Sequence, residues 1–113
     1  MTDTTDQEML EFSAKAYGIE LEYRHGSDAY YYDDPETGRE EWLPQHKDGQ
    51  ALRLAVKLSM TIHIYQQYNV DWVTTATIPN KKWVMCWHKT RSAEAATRLA
   101  IARVAELFGR EMK

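Results

Sequence analysis

Apolar positions recur at helical spacing in three stretches of this chain and at strand spacing between them. Leu10, Ala14 and Tyr17 share one face of an opening helix. Thr5 and Glu8 have capping-box spacing, and Asp6 and Glu8 sit in the first turn, where the helix dipole favours negative charge. Gly18 is placed to end that helix in a left-handed conformation, with Ile19 closing the cap. Ile19, Leu21 and Tyr23 then alternate with Glu20, Glu22 and Arg24, which predicts a strand. His25 to Asp28 is turn material, Ala29 to Tyr32 reads as the returning strand, and Asp33 to Gly38 is a second turn leading to a short segment that ends at Trp42.

Pro44 disfavours helix in the connection from Leu43 to Gly49. Asp48 is then a good cap for a helix from Gln50 to Leu58, with Ala51, Leu54, Ala55 and Leu58 inward and Arg53 and Lys57 outward. Three strands are expected at about Thr61 to Tyr65, Val70 to Ile78 and Lys82 to His88. A turn at Pro79-Asn80-Lys81 would set Trp72 opposite Trp87, Ala76 opposite Trp83 and Asp71 opposite His88. Ser92 caps a last helix whose apolar face is Ala96, Leu99, Ala100, Val104, Leu107 and Phe108, with Gly109 as its expected end. Arg103 lies near the edge of that face, where it either snorkels or pairs with a carboxylate. The expected fold is α+β, one domain over 1–113. An N-terminal helix and small acidic β-meander (1–47) precede a helix, three-stranded antiparallel sheet and long C-terminal helix (48–113), layered like an α/β/α sandwich.

Composition adds little to this, and charge adds more. The chain has 113 residues, four Trp, seven Tyr and one cysteine, Cys86, which cannot form an internal disulfide and fits a reducing compartment. No apolar run approaches the ~20 residues of a membrane helix, and the acidic opening MTDTTDQEML lacks the order of a signal peptide. A cytoplasmic protein with no membrane association is expected. Residues 1–50 carry 13 Asp and Glu against 4 Lys and Arg, a formal −9, whereas residues 51–113 carry 4 against 10, a formal +6. The overall −3 thus hides two halves that should attract different partners, or each other in a head-to-tail or twofold homodimer.

The stretches Trp42-Leu43-Pro44, Asp48 to Leu58, and Ala95 to Glu106 resemble small bacteriophage proteins of the phage ABA-sandwich domain family, named for helices on both sides of a sheet. Gln7 to Glu11 through Ala16 to Ile19 looks like the N-terminal helix of its longer members. The chain departs from that pattern at Gln50, where an acidic residue is expected, and over the aromatic-rich Val70 to His88. The resemblance implies a phage accessory protein in the bacterial host cytoplasm, and it brings no catalytic residues.

Four constellations carry candidate chemistry. Tyr30 to Pro44 resembles the second hairpin of a WW domain, which would clasp polyproline, although Tyr23 stands where the first Trp of such a domain belongs. The plainer reading is a hairpin whose tyrosines alternate between core and surface. Tyr30, Tyr31, Tyr32, Asp33, Asp34, Glu36, Glu40 and Glu41 are the preferred partner-binding set, because carboxylates beside exposed tyrosine suit an arginine-rich protein surface. Cys86, His88 and His63 could share a zinc ion, but only Asp71 offers a fourth ligand, so neither metal nor cofactor is expected. Lys81, Lys82, Trp83, Lys89 and Arg91, with Trp87 and Arg98 nearby, form the alternative: a nucleic-acid-binding surface. No phosphate loop or nucleophile elbow is present, so the expected function is non-enzymatic binding of a host protein, as an inhibitor of a defence or nucleic-acid-handling complex of the anti-CRISPR or anti-restriction type.

Overall fold

A computed structural model describes residues 4–67, 71–79, 85–90 and 92–112. Helix α1 (Thr4–Tyr17) leads into a first sheet of β1 (Glu22–Arg24), β2 (Ala29–Asp34) and β3 (Gly38–Glu41). Helix α2 (Asp48–Lys57) follows, then a second sheet of β4 (Thr61–Gln67), β5 (Asp71–Thr77) and β6 (Met85–Thr90), and finally α3 (Ala93–Glu111). Both sheets are antiparallel, in the orders β1-β2-β3 and β4-β5-β6. The chain is α+β, with its elements in the order that the hydrophobic pattern predicts.

The end of α1 follows its local sequence. Gly18 takes a φ of 89°, and the Gly18 and Ile19 N–H groups both donate to the Ala14 carbonyl, so the last turn is closed without solvent. Ile19 then packs against the core. The other terminus behaves differently, since α1 already includes Thr5. Helix α2 also departs from expectation: it starts at Asp48, Lys47 holds the cap position, and no side chain caps it. Asp48 is spent instead on Arg98 of α3, at 2.6 Å. The Ser92 cap of α3 is as expected, its hydroxyl accepting the Ala95 N–H at 3.2 Å.

Helix α3 is the centre of the molecule. It lies on the second sheet, where Ala96 and Ala100 are fully buried and the Thr97 and Thr74 hydroxyls meet at 3.2 Å. It also packs against α1 and α2. Burial therefore extends well beyond the apolar stripe expected from sequence, to Ala102, Ala105, Glu106 and Gly109, while Leu107 is left 36% exposed. Gly109 does not end the helix, which runs on to Glu111. It sits where a side chain would overlap the Phe12 carbonyl of α1, so the two helices approach closely there. Buried Glu106 is paired with Arg103 at 3.3 Å and Arg110 at 2.8 Å, which answers where Arg103 goes.

The second sheet corrects the expected register. Trp72 pairs with Thr90, Ala76 with Cys86, Thr75 with Trp87 and Thr74 with His88. The pairing is shifted by three residues, with Thr90 rather than Trp87 opposite Trp72, and this odd-numbered slip sends Trp72 and Trp87 to positions of opposite parity; most of the expected turn at Pro79-Asn80-Lys81 lies outside the described residues.

Replacing Gly109 tests the α1–α3 contact. Ala gains about 1 kcal/mol of helix propensity over Gly, but overpacking against a backbone carbonyl costs about 1–3 kcal/mol and has no flexible side chain to absorb it. Gly109→Ala is expected to lower unfolding stability in urea, whereas Val56→Ala, at a site 70% exposed, should change it by less than about 0.5 kcal/mol.

Candidate functional site

The acidic meander is built around one tryptophan. Trp42, the first residue after β3, is 0% exposed, and its indole N–H points to the Leu10 carbonyl and the Ser13 hydroxyl of α1, both at 3.1 Å. Tyr17 stacks on its ring at 5.5 Å, and Tyr32 meets it edge-on at 5.4 Å. A ring enclosed in this way cannot clasp a polyproline ligand, so the WW-like reading of Tyr30 to Pro44 is overturned.

Strand pairing divides the predicted partner-binding residues between two faces. On the inner face, Tyr32 is buried opposite Glu40. Burial pushes the Tyr32 phenol up from its ordinary value, while the Arg53 guanidinium, 3.2 Å from its oxygen, works the other way. Asp34 closes the β2–β3 turn by accepting the Glu36 and Thr37 N–H groups at 2.8 and 3.0 Å, and it pairs with Arg53 at 2.8 Å. Those two backbone donors, with Arg53, hold its carboxyl below the usual range. Glu40 is lowered as well, first by the Gln50 amide at 2.7 Å and then by the Thr37 hydroxyl at 2.8 Å.

Gln50 explains why an amide stands where an acid was expected. It is 1% exposed, its Oε1 accepts the Leu43 N–H at 2.6 Å, and its Nε2 donates to the Glu41 carbonyl at 2.6 Å as well as to Glu40. The position needs one acceptor and one donor at once, and a carboxylate would meet Glu40 with no proton to give.

The outer face remains acidic. Asp33 pairs with Arg39 at 3.0 Å yet keeps 80% of its side chain exposed, and Arg39 also pairs with Glu22. Tyr31 is half-buried beneath the Arg24 guanidinium, 5.1 Å from the ring centre, and Glu36 is exposed at the turn. Tyr30 and Glu41 instead line a cleft of about 880 Å³ between α1, the β1–β2 hairpin and the 41–46 segment. Glu11, Asp28, Tyr23 and Gln45 share it, along with His25 and His46. The Tyr30 hydroxyl donates to Glu11 at 3.0 Å and accepts from Gln7 at 2.9 Å, and the Tyr23 hydroxyl donates to Asp28. Burial raises the Tyr30 phenol, and the hydrogen bond to Asp28 is the main cause of the rise at Tyr23. Linear spacing gave no signal for this cleft, because its walls come from segments up to 39 residues apart.

Lys81, Lys82, Trp83 and Arg91 lie outside the described residues, and Lys89 is described only as the β6 partner of Val73. The side chains of Cys86 and His88 are likewise outside the description, and the described residues hold no group of three or more His, Cys, Asp or Glu arranged for a metal. No helix among the described residues is long and apolar enough to cross a membrane. No protein-family model, curated protein or solved structure matches this chain.

The lowered carboxyls of Asp34 and Glu40 make stability depend on pH. A group whose pKa falls on folding stabilises the fold above its unfolded value and loses that contribution as pH drops through the folded one. The double variant Asp34→Asn, Glu40→Gln should therefore be less stable than the parent at neutral pH. The difference should shrink as pH falls through and below the ordinary carboxylate range, as followed by urea unfolding from pH 7 to 2.5.

Proposed function

We propose that this chain is a non-enzymatic phage accessory protein that binds a basic surface of a host protein in a defence or nucleic-acid-handling complex. The phage context comes from the resemblance of its helices. The binding mode is supported by one observation, the charge that remains exposed after the internal pairs are formed. Glu11, Glu20, Glu22, Asp28, Asp33 and Glu36 are exposed around the first sheet and the adjoining face of α1, against the exposed cations Lys15, Arg24 and Arg39. Such an end steers a cationic partner and repels anionic ones, over a range set by the ~10 Å screening length at 0.1 M salt.

Asp33 and Glu36 are the residues through which to test this, because neither is buried. In a pull-down from host lysate at low salt, the protein should retain a basic protein that elutes as salt rises. Asp33→Lys with Glu36→Lys should abolish retention. The reading fails if nothing is retained at low salt, or if the charge-reversed variant holds the same partner equally well.

A further inference from the structure

We infer that the cleft between α1, the β1–β2 hairpin and the 41–46 segment is a receptor for an arginine side chain presented by an extended basic segment. This inference deepens the binding function proposed above and rests on it for the identity of the partner as a protein. The first ground is shape: about 880 Å³ falls in the ~300–1,000 Å³ range of ligand clefts, with room for one long side chain and its flanking backbone. The second is charge. Glu11, Asp28 and Glu41 line it from three separate segments, and neither Lys nor Arg is among the described residues lining the cleft.

The third ground selects the cation. Tyr23 and Tyr30 stand together in the wall, with ring centres 5.1 Å apart, and offer aromatic faces to a flat cation. The Tyr30 and Tyr23 hydroxyls occupy Glu11 Oε1 and Asp28 Oδ1, which pins both carboxylates in place and leaves each a second oxygen. Gln45 lines the same cleft, adding a neutral polar side chain to the acidic wall. A guanidinium has five donors in a planar fork, so it can bridge separated carboxylates and stack on tyrosine in a single pose. An ammonium is a compact point donor and matches fewer of these groups at once.

Titration with penta-arginine and penta-lysine, followed by residue-resolved amide NMR, tests the assignment. Penta-arginine should shift the amides of Glu11, Asp28 to Tyr30 and Gln45, and should bind more tightly than penta-lysine. Asp28→Asn with Glu41→Gln should weaken it by about fivefold or more. Asn tolerates the left-handed backbone of Asp28, at φ 52°, and still accepts from Tyr23, so the variant keeps the hairpin. Asp33→Asn with Glu36→Gln, which removes the same charge as the cleft variant, should weaken penta-arginine by less than about twofold, since those residues lie outside the cleft. Shifts centred on Asp33 to Thr37, unchanged affinity in the cleft variant, or equal binding of penta-lysine would each overturn the inference.

The two proposals separate in the same experiments. A host partner that is lost on outer-face reversal but retained by the cleft variant removes the cleft and leaves the broader function. Penta-arginine bound in the cleft with no host protein retained does the reverse.

Discussion

The buried indole of Trp42 is the contact on which the first sheet depends. Three strands of three, six and four residues have too little apolar surface to stand alone. Trp42 gives them a shared core by entering between Tyr17 of α1 and Tyr32 of β2, and its N–H is satisfied by α1 itself. Gln50 fixes the same joint from the other side, binding the backbone at Glu41 and Leu43 to α2. A fully buried amide holding three partners is expensive to disturb, so the direction in which the chain leaves β3 is set firmly. The cleft follows from that direction, because the 41–46 segment forms one of its walls.

Charge works at two levels in this arrangement. Arg53, Arg98 and Arg110 belong to the basic half of the sequence, and they reach across to Asp34 and Glu40, to Asp48 and to Glu8. Ion pairs with exposed partners, such as Arg98–Asp48, contribute at most about 1 kcal/mol each, so they are not what holds the halves together. Their consequence is spatial. Arg53, Arg98 and Arg110 are taken up in pairs along α2 and α3, while Asp33, Glu36 and their neighbours at the first sheet keep their field toward solvent. The −9 and +6 halves are therefore partly internal architecture and partly an outward acidic end.

Much of the fold could be read locally. The α1 stop at Gly18, the α3 start at Ser92 and the turn at Asp34 to Gly38 each rest on bonds closed within a few residues, and each was legible. Asp48 shows the limit of such signals, because a residue well suited to cap a helix was drawn to Arg98, fifty positions away. Gly109 shows another, since it reads as a helix terminator and is in fact a gap left for the Phe12 carbonyl. The candidate site was legible only as a list. Eight residues were named together, and the structure sent Tyr32, Asp34 and Glu40 inward, Tyr31 and Asp33 to the outer face, Glu36 to the exposed turn, and Tyr30 and Glu41 to the lining of a cleft with Glu11, Asp28 and Gln45.

The sequence by itself determined the α+β class, the order of elements, the caps that depend on near neighbours and the separation of charge along the chain. Periodicity and capping act over three to seven residues, so they are written wherever the local pattern is strong. The tertiary structure alone decided the register of β5 with β6, the need for an amide at Gln50, the closeness of α1 to α3 and the existence of the cleft. Each of these joins positions far apart in the chain, where the outcome turns on packing volume and on which buried donor finds which acceptor.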